Sequence, residues 1–217
     1  DKDPRILAIT AAMPEGTGLN LFQEKYPDRF FDVGICEQHG VGFASGLRLA
    51  GMRPVCAIYS TFLQRAFDQI FHEVCLQGLP VVFAMDRAGI VGADGPTHHG
   101  VYDISYLRPF PGMVLMAPKD GPELEEMLRF ALALYRPVGI RYPRGSVPEP
   151  FASRRPLELG RAEPLREGDQ GAFFAYGAMV VPAMKAASIL ADHGISVAVV
   201  NARFAKPFDS GMLAEMA

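Results

Sequence analysis

The segment DVGICEQHG, residues 32–40, places one carboxylate among apolar and small residues. Glu37 follows the largely apolar segment 30–35, and glycine recurs soon after it, at positions 40, 42 and 46. A buried charge is costly unless it is paired or hydrogen-bonded. Glu37 is therefore predicted either to satisfy backbone donors at the start of a helix or to take part in proton transfer, and its neighbours in the sequence leave both possibilities open.

A second segment, YSTFLQRAFDQ (59–69), combines an aromatic ring with a cation. Phe62 and Arg65 are three residues apart, so they share one face of a predicted helix. A ring beside a guanidinium suits a ligand that has a flat heterocycle and a nearby phosphate. The other large apolar residues of this segment are expected to belong to the core.

The long glycine-rich loop DRAGIVGADGPTHHGVYD carries Asp94, His98 and His99. Compact loops of this length are usually functional. Two adjacent imidazoles without a spaced third ligand are a weak zinc pattern. The loop therefore favours hydrogen bonding to a small polar substrate, or acid–base chemistry.

The segment RYPRG contributes two further cations, Arg141 and Arg144. Arg144 follows an apolar strand, where its guanidinium could clamp a phosphate through two parallel hydrogen bonds. A surface salt bridge is the alternative interpretation of Arg144, and its immediate sequence does not decide between the two.

Short apolar runs alternate with helical patterns, and this order predicts the elements that position these residues. The predicted strands are 5–10, 29–35, 53–60, 79–86, 112–118, 137–143, 171–177 and 195–203. The predicted helices are 18–27, 37–52, 61–78, 121–135 and 179–194. This alternation predicts an α/β fold, a parallel doubly wound sheet with right-handed crossovers.

The carboxyl ends of parallel strands meet at one edge of such a sheet, where ligands bind. Glu37, Tyr59, Asp86, Arg87 and Arg144 all fall at predicted strand ends. One shared edge would bring them together, so the sequence predicts a site there.

A change of composition divides the chain. Residues 148–170 are rich in proline and charge, and we expect them to form a linker between a first domain, 1–147, and the start of a second α/β domain, 171–217. About two strands and one full helix are too few to close that second domain, so it is expected to be truncated. The chain begins without methionine, and we expect it to be a piece of a longer polypeptide.

Composition limits the classes of function. Apolar residues make up 49% of the 217 residues, enough for a sizeable core, and the net charge is −3. Neither nucleic acid nor an anionic membrane is an expected partner, and no apolar run reaches membrane-spanning length. Cys36, Cys56 and Cys75 form no zinc or CxxC pattern, so reduced thiols and a cytoplasmic location are expected.

Together, DVGICEQHG, YSTFLQRAFDQ, DRAGIVGADGPTHHG and RYPRG resemble the 1-deoxy-D-xylulose-5-phosphate synthase family of thiamine diphosphate enzymes. The resemblance runs from about residue 5 to the end. It implies a transketolase-like pyrimidine-binding domain followed by the start of the C-terminal domain. The glutamate motif is shared with transketolases and oxoacid dehydrogenase β subunits, whereas YSTFLQRA and GADGPTHHG are more specific to the synthases.

The resemblance implies roles for single residues. The family glutamate hydrogen-bonds N1′ of the aminopyrimidine ring and promotes loss of the thiazolium C2 proton, and Glu37 matches it. Phe62 matches the residue that stacks on this ring. The remaining matches are to residues that bind substrate: Arg65 and Arg144 to those that hold the acceptor's phosphate, and Tyr59, Asp94 and His98 to those that line the pocket. His98 is also the expected proton-transfer partner, and His99 matches less firmly.

The implied reaction joins pyruvate to D-glyceraldehyde 3-phosphate with loss of CO2, the entry to non-mevalonate isoprenoid precursors and to thiamine and pyridoxal biosynthesis. The family holds the diphosphate of thiamine diphosphate through Mg²⁺ on a GDG motif, which this sequence lacks. The Mg²⁺ ligands and the diphosphate-binding domain are therefore expected elsewhere in the same polypeptide, and a homodimer is the expected assembly. The alternatives are a transketolase, an oxoacid dehydrogenase β subunit, and a non-catalytic α/β interaction module.

Overall fold

A computed structural model describes residues 3–151 and 155–216. The chain divides into two compact units, each assembled from two stretches of sequence. Unit 1 comprises Asp1–Val114 and Ala131–Arg144, and unit 2 comprises Leu115–Phe130 and Gly145–Ala217.

The strands confirm the predicted alternation, with shorter bounds. They are β1 (Ile6–Thr10), β2 (Phe30–Asp32), β3 (Arg53–Tyr59), β4 (Val82–Asp86), β5 (Val114–Met116), β6 (Val138–Arg141), β7 (Glu163–Arg166), β8 (Ala172–Ala175), β9 (Ala198–Asn201) and β10 (Phe204–Lys206).

The helices connect these strands along the chain. They are α1 (Asn20–Lys25), α2 (Glu37–Leu49), α3 (Ser60–Leu63), α4 (Phe67–Gln69), α5 (Asp103–Leu107), α6 (Gly121–Ala133), α7 (Val180–Asp192) and α8 (Ser210–Glu215).

In unit 1, five strands form a parallel array in the order β6-β4-β3-β1-β2. The strands β1, β3 and β4 are largely buried, as expected for a parallel sheet with helices on its faces. This arrangement confirms the predicted α/β fold class, and it sets the carboxyl ends of these strands along one edge.

Helix α2 packs closely on this sheet because the face it buries is made of small residues. A Cβ atom added at Gly40 would lie 3.3 Å from Val33 Cγ2 and 3.7 Å from Ile9 Cγ2. Ala44 and Ser45 continue the buried face one turn later. The small residues after Glu37 therefore set how near the helix axis comes to the strands.

The predicted helix 61–78 is interrupted in the structure. A 3₁₀ turn, Gln64–Ala66, follows α3, and a π-helical segment, Ile70–Cys75, follows α4. Ala66 has φ −98° and ψ 21°, outside the helical range, so the regular hydrogen-bond ladder breaks there. The wide turn is closed by the Leu76 N–H, which donates to Phe71 O at 2.8 Å. Such segments are frequent at functional sites.

Unit 2 contains a smaller sheet in the order β7-β9-β8, in which β8 is parallel and β7 antiparallel to β9. Strand β10 pairs with β5 in antiparallel orientation. Part of the segment predicted as a linker thus forms β7. The predicted division at 147 and 171 stays a prediction, and residues 152–154 of that segment lie outside the described residues.

No helix within residues 3–151 and 155–216 is both long enough and apolar enough to span a bilayer.

Candidate active site

The carboxyl edge of the unit 1 sheet collects the predicted residues. Strands β3 and β4 end side by side, with Tyr59 paired in register to Asp86. Glu37 is the first residue of α2, and Arg144 follows the end of β6. The sheet topology thus brings together side chains that lie far apart in the sequence.

Glu37 is 1% exposed, and its two carboxylate oxygens have different surroundings. Oε1 accepts a hydrogen bond from Arg65 Nη1 at 2.5 Å. Oε2 is buried and has no hydrogen-bond partner among the described residues. A buried acceptor without a partner is expensive. Glu37 therefore presents one oxygen that a ligand's N–H could satisfy.

Three rings pack against one another next to Arg65, the partner of this carboxylate. Phe62 is stacked on Tyr59 with centroids 5.5 Å apart and planes inclined by 14°. The His98 ring meets Phe62 edge-on at 5.2 Å. The guanidinium of Arg65 lies over the Phe62 ring, with Cζ 4.8 Å from the centroid. Phe62 and Arg65 thus share a face, as their spacing predicted, and Arg65 links the rings to Glu37.

A second charged group surrounds Arg87, to which the sequence analysis assigned no ligand. Its guanidinium lies 4.0 Å above the Tyr59 ring and donates to Asp86 Oδ2 at 2.6 Å and to Gly16 O at 2.8 Å. Its φ of 57° is unusual for a residue other than glycine, and such strain clusters at functional sites. In the sequence, a functional role for Arg87 is indicated by its position directly after a buried strand that ends in a carboxylate.

Asp94 joins Arg87 to Arg144. Its Oδ1 accepts from Arg144 Nη1, and its Oδ2 accepts from Arg87 Nε at 3.4 Å. Arg65 and Arg144, which the sequence analysis assigned to one phosphate, therefore have different carboxylate partners. Their phosphate role stays a prediction, and the structure adds Arg87 as the cation that shares a partner with Arg144.

The two adjacent histidines have different surroundings. His99 Nδ1 accepts a hydrogen bond from the Val91 N–H at 3.2 Å, which ties it into its own loop. His98 lies against Phe62 and Tyr59, and its Nδ1 is 3.0 Å from Thr97 Oγ1. His98 is thus the histidine next to the aromatic group.

The loop that carries these residues is closed at its base. Gly89 and Gly100 exchange backbone hydrogen bonds of 2.7 and 2.9 Å. A Cβ atom at Gly100 would lie 2.4 Å from Ser60 Oγ and 2.5 Å from Arg87 O, so only glycine fits there. Thr61 Oγ1 donates to Thr97 O at 3.2 Å, which fastens the loop to α3.

Asp103 anchors the base of the site. It is 1% exposed, and its Oδ2 accepts from Ser60 Oγ at 3.0 Å and from Arg141 Nε at 2.9 Å. Arg141, the other arginine of RYPRG, is therefore bound within the fold.

Burial changes the acid–base properties of two residues at this edge. It raises the pKa of the Tyr59 hydroxyl, so the phenol is neutral at physiological pH. It also raises the pKa of the Asp86 carboxyl, although hydrogen bonds from Arg87 act in the opposite direction. No group of three or more His, Cys, Asp or Glu side chains within the described ranges is arranged to hold a metal ion.

Comparisons with known proteins place this geometry in a family. The profile "Transketolase, pyrimidine binding domain" matches residues 1–150, and "Transketolase, C-terminal domain" matches residues 160–217. A solved structure titled "Split gene transketolase, inactive beta4 tetramer" has a TM-score of 0.89 and 33% identity, covering 100% of this chain and 71% of that one. A Pichia stipitis transketolase, at 21% identity and a TM-score of 0.81 over 95% of this chain and 33% of its own, supports the fold alone.

Curated relatives are more similar in sequence. The chain is 62% identical to a 1-deoxy-D-xylulose-5-phosphate synthase of Thermomicrobium roseum, covering 100% of this chain and 35% of the relative. It is 57% identical to 1-deoxy-D-xylulose-5-phosphate synthase 1 of Geobacter sulfurreducens, covering 100% and 34%. The chain thus spans about a third of the length of these relatives.

Proposed function

Because the chain belongs to the transketolase pyrimidine-binding domain family, we propose that it forms the substrate-facing part of a thiamine diphosphate-dependent 1-deoxy-D-xylulose-5-phosphate synthase. The proposed reaction joins pyruvate to D-glyceraldehyde 3-phosphate and releases CO2. Its products would lead to isoprenoid precursors, thiamine and pyridoxal. The observation that carries the proposal is the buried, unpartnered Oε2 of Glu37.

The residues fit an aminopyrimidine ring. Oε2 of Glu37 would share a proton with ring nitrogen N1′, which would give that oxygen the hydrogen bond it lacks. The bond from Arg65 to Oε1 holds the carboxylate in one orientation. Phe62, partly exposed beside it, offers a flat apolar surface to a heterocycle. When bound, thiamine diphosphate would supply the carbon nucleophile and the electron sink.

The remaining residues of the edge would bind the substrates. Arg87 and Arg144 share Asp94, so an incoming phosphate would meet two forked donors beside one carboxylate. His98, against the aromatic group, is placed to move a proton on a bound substrate. Tyr59, neutral and with Arg87 over its ring, would contribute a hydroxyl to the pocket wall.

The rest of the proposed enzyme would lie outside this chain. Mg²⁺ and the diphosphate would be held by a diphosphate-binding domain of the same polypeptide, and the active assembly would be a homodimer in the cytoplasm. The 217 residues alone are therefore expected to bind thiamine diphosphate with Mg²⁺ only weakly. Micromolar, Mg²⁺-dependent binding to this piece in calorimetry would contradict that assignment.

The test of the function uses the full-length polypeptide with thiamine diphosphate and Mg²⁺. We expect 1-deoxy-D-xylulose 5-phosphate and CO2 from pyruvate with D-glyceraldehyde 3-phosphate, and no product with Glu37→Ala. Transfer of a two-carbon unit between sugar phosphates would instead identify a transketolase. Acyl transfer to lipoamide would identify a dehydrogenase β subunit. Absence of turnover with all of these substrates would favour the remaining alternative, a non-catalytic α/β interaction module.

A further inference from the structure

A cavity of about 160 Å³ lies at the opposite edge of the unit 1 sheet, where β1, β3 and β4 begin. Its lining includes Arg5, Arg48 and Arg53. Strand β3 has seven residues and starts at Arg53, so its far end at Tyr59 is about 20 Å away. The cavity is therefore separate from the candidate active site.

The charge around this cavity is not balanced. Asp3 accepts from Arg5 Nε at 2.9 Å and from Arg53 Nη1 at 3.0 Å, so one carboxylate serves two cations. Arg48 donates Nη1 to the neutral carbonyl of Met52 at 3.0 Å. Among the described residues, three arginines against one aspartate leave a net charge of +2. In the part of the chain that the structure describes, no other carboxylate pairs with these arginines.

The arginines retain donors for a ligand. Each guanidinium has five N–H donors, of which Arg53 and Arg48 each use one in the described structure. The Arg53 side chain is 27% exposed, so it is partly shielded from solvent, which strengthens its attraction for an anion.

Structural roles do not account for all three cations, because Asp3 balances the charge of one of them and the end of a helix favours another. Arg48 lies in the last turn of α2, where a positive charge favourably meets the carbonyl end of the helix. Arg5 precedes β1 and Arg53 begins β3, and neither position has a helix end to neutralise. The surplus positive charge therefore calls for another explanation.

We propose that this cavity binds a small phosphate-bearing anion. Forked guanidinium donors match phosphate oxygens in pairs. The volume is below the roughly 300–1,000 Å³ of pockets for drug-sized ligands, which limits the occupant to a small ion or the phosphate group of a larger molecule. Helix α2 runs from Glu37 to the turn of Arg48, and β3 from Arg53 to Tyr59, so both elements connect this cavity to the candidate active site.

The test measures binding of radiolabelled inorganic phosphate by equilibrium dialysis, with the full-length polypeptide saturated with thiamine diphosphate and Mg²⁺. We expect Arg53→Gln and Arg48→Gln each to weaken binding by about tenfold or more, as loss of a charge-assisted contact does. Arg136→Gln is the matched control, because Arg136 is exposed, lies next to the cavity-lining Tyr135, and removes the same charge. It should change the affinity by less than about twofold if contact, and not net charge, governs binding.

Two further variants separate the possible origins of the signal. Arg53→Lys keeps the charge but loses the fork, so an intermediate affinity is expected. Arg144→Gln alters the candidate active site, so it should remove only phosphate bound there and leave the binding that depends on Arg48 and Arg53. Loss of binding in Arg144→Gln alone would assign the phosphate to the active site and overturn the proposal, as would equal losses in Arg136→Gln and Arg53→Gln. Thermal unfolding of each variant without phosphate identifies any that fail to fold. If Arg53→Gln fails to fold, Arg48→Gln tests the proposal instead, because Arg48 donates to Met52 O and not to Asp3.

Discussion

Both units bury charged side chains. Those of unit 2 have hydrogen-bond partners within the fold, whereas in unit 1 one buried carboxylate oxygen lacks a partner among the described residues. In unit 2, five polar residues form what we call the closed cluster, and each is at most 2% exposed: Lys119, Glu123, Glu163, Asn201 and Arg203. In unit 1, Glu37 is buried to the same degree, yet its Oε2 has no partner among the described residues.

The closed cluster is complete in itself. Lys119 Nζ contacts Glu123 at 3.1 Å and Glu163 at 2.6 Å, and Arg203 contacts the same two carboxylates at 2.9 and 3.2 Å. Asn201 Nδ2 donates to Glu123 at 3.1 Å. Two cations balance two anions, so nothing is left for a ligand. Burial of charge alone thus does not identify a site, whereas a buried carboxylate oxygen with an unmet hydrogen bond at the carboxyl edge of the sheet is a candidate for one.

The largest expected effect is at Glu37. In the proposed full-length enzyme, Glu37→Gln should slow deuterium exchange at thiamine C2 by about 10²–10⁴-fold, the usual contribution of a general acid–base partner. The fold should persist, because glutamine has nearly the same shape. Glu15→Gln, at an exposed position, is the control. An unchanged exchange rate would contradict the proposed role of Glu37. It would also show that its unpartnered oxygen does not distinguish it functionally from the closed cluster.

The closed cluster should show the reverse behaviour. Glu163→Ala leaves Lys119 and Arg203 with a single anion, so we expect the free energy of unfolding to fall by about 3–5 kcal/mol. C2 exchange in the folded enzyme should remain near the wild-type rate. Replacing Lys119 and Glu163 together by Met and Leu should cost less than Glu163→Ala, because no unpaired charge remains. Denaturant unfolding measures both variants, and a loss below about 1 kcal/mol for Glu163→Ala would contradict the interpretation.

Removing one arginine of the site should affect one substrate more than the other. Arg144→Ala should cost about 2–4 kcal/mol in kcat/KM for D-glyceraldehyde 3-phosphate, as loss of a charge-assisted contact does, and the sequence-predicted pairing of Arg144 with Arg65 expects the same loss in Arg65→Ala. Pyruvate carries no phosphate, so its kinetics should change much less, and Arg→Lys should restore only part of the loss. Arg136→Ala is the exposed control.

Steady-state kinetics with each substrate varied decides this prediction. Equal losses for both substrates in Arg144→Ala would make Arg144 structural, whereas equal losses in Arg65→Ala would follow from its bond to Glu37. A loss confined to Arg144→Ala would favour the pairing of Arg144 with Arg87 through Asp94 over the predicted pairing with Arg65.

The smallest expected effect concerns the pH dependence of stability. It should be opposite for Glu163 in the closed cluster and for Asp86 at the carboxyl edge of the sheet. Burial pushes the pKa of Glu163 upward, but hydrogen bonds from Lys119 and the Arg155 N–H, with the charge of Arg203, hold that pKa below its ordinary 4.5. Burial raises the pKa of Asp86 above its ordinary 3.8. Glu163 therefore contributes stability that is present above pH 4.5 and lost as the pH falls. The contribution of Asp86 is present below pH 3.8 and lost as the pH rises through its folded pKa.

Urea unfolding of Glu163→Gln and Asp86→Asn between about pH 3 and pH 6 measures this difference. The stability deficit of Glu163→Gln should shrink as the solution becomes more acidic. The deficit of Asp86→Asn should shrink as the pH rises. Parallel pH profiles for the two variants would show that neither pKa shift contributes to stability.

The sequence predicted the main parallel strands because their apolar runs report local conformation and burial together. It failed to predict β7 because Glu163, Pro164 and Arg166 have the composition of a loop. That strand is held by pairing with β9 and by the place of Glu163 in the closed cluster. Tertiary pairing there outweighs local propensity.

The candidate site was predictable in part. The strand-end rule placed Glu37, Tyr59 and Arg144 at one edge without any knowledge of contacts. Arg87 received no role, because a charged residue after a strand is common and only its contact with Asp94 gives it one. His98 and His99 are indistinguishable in the sequence, and the Val91 N–H separates them in the structure.

By itself, the sequence determined the α/β alternation, the small-residue face of α2 and the types of residue at the carboxyl edge, because each depends on neighbours within a few positions. Only the tertiary structure decided which cation meets which carboxylate. The bonded residues are 28 positions apart for Glu37 with Arg65, 50 for Asp94 with Arg144 and 80 for Glu123 with Arg203. Hydrogen bonds act only over about 3 Å, so strand register and loop closure select these pairs, and they leave Oε2 of Glu37 without one.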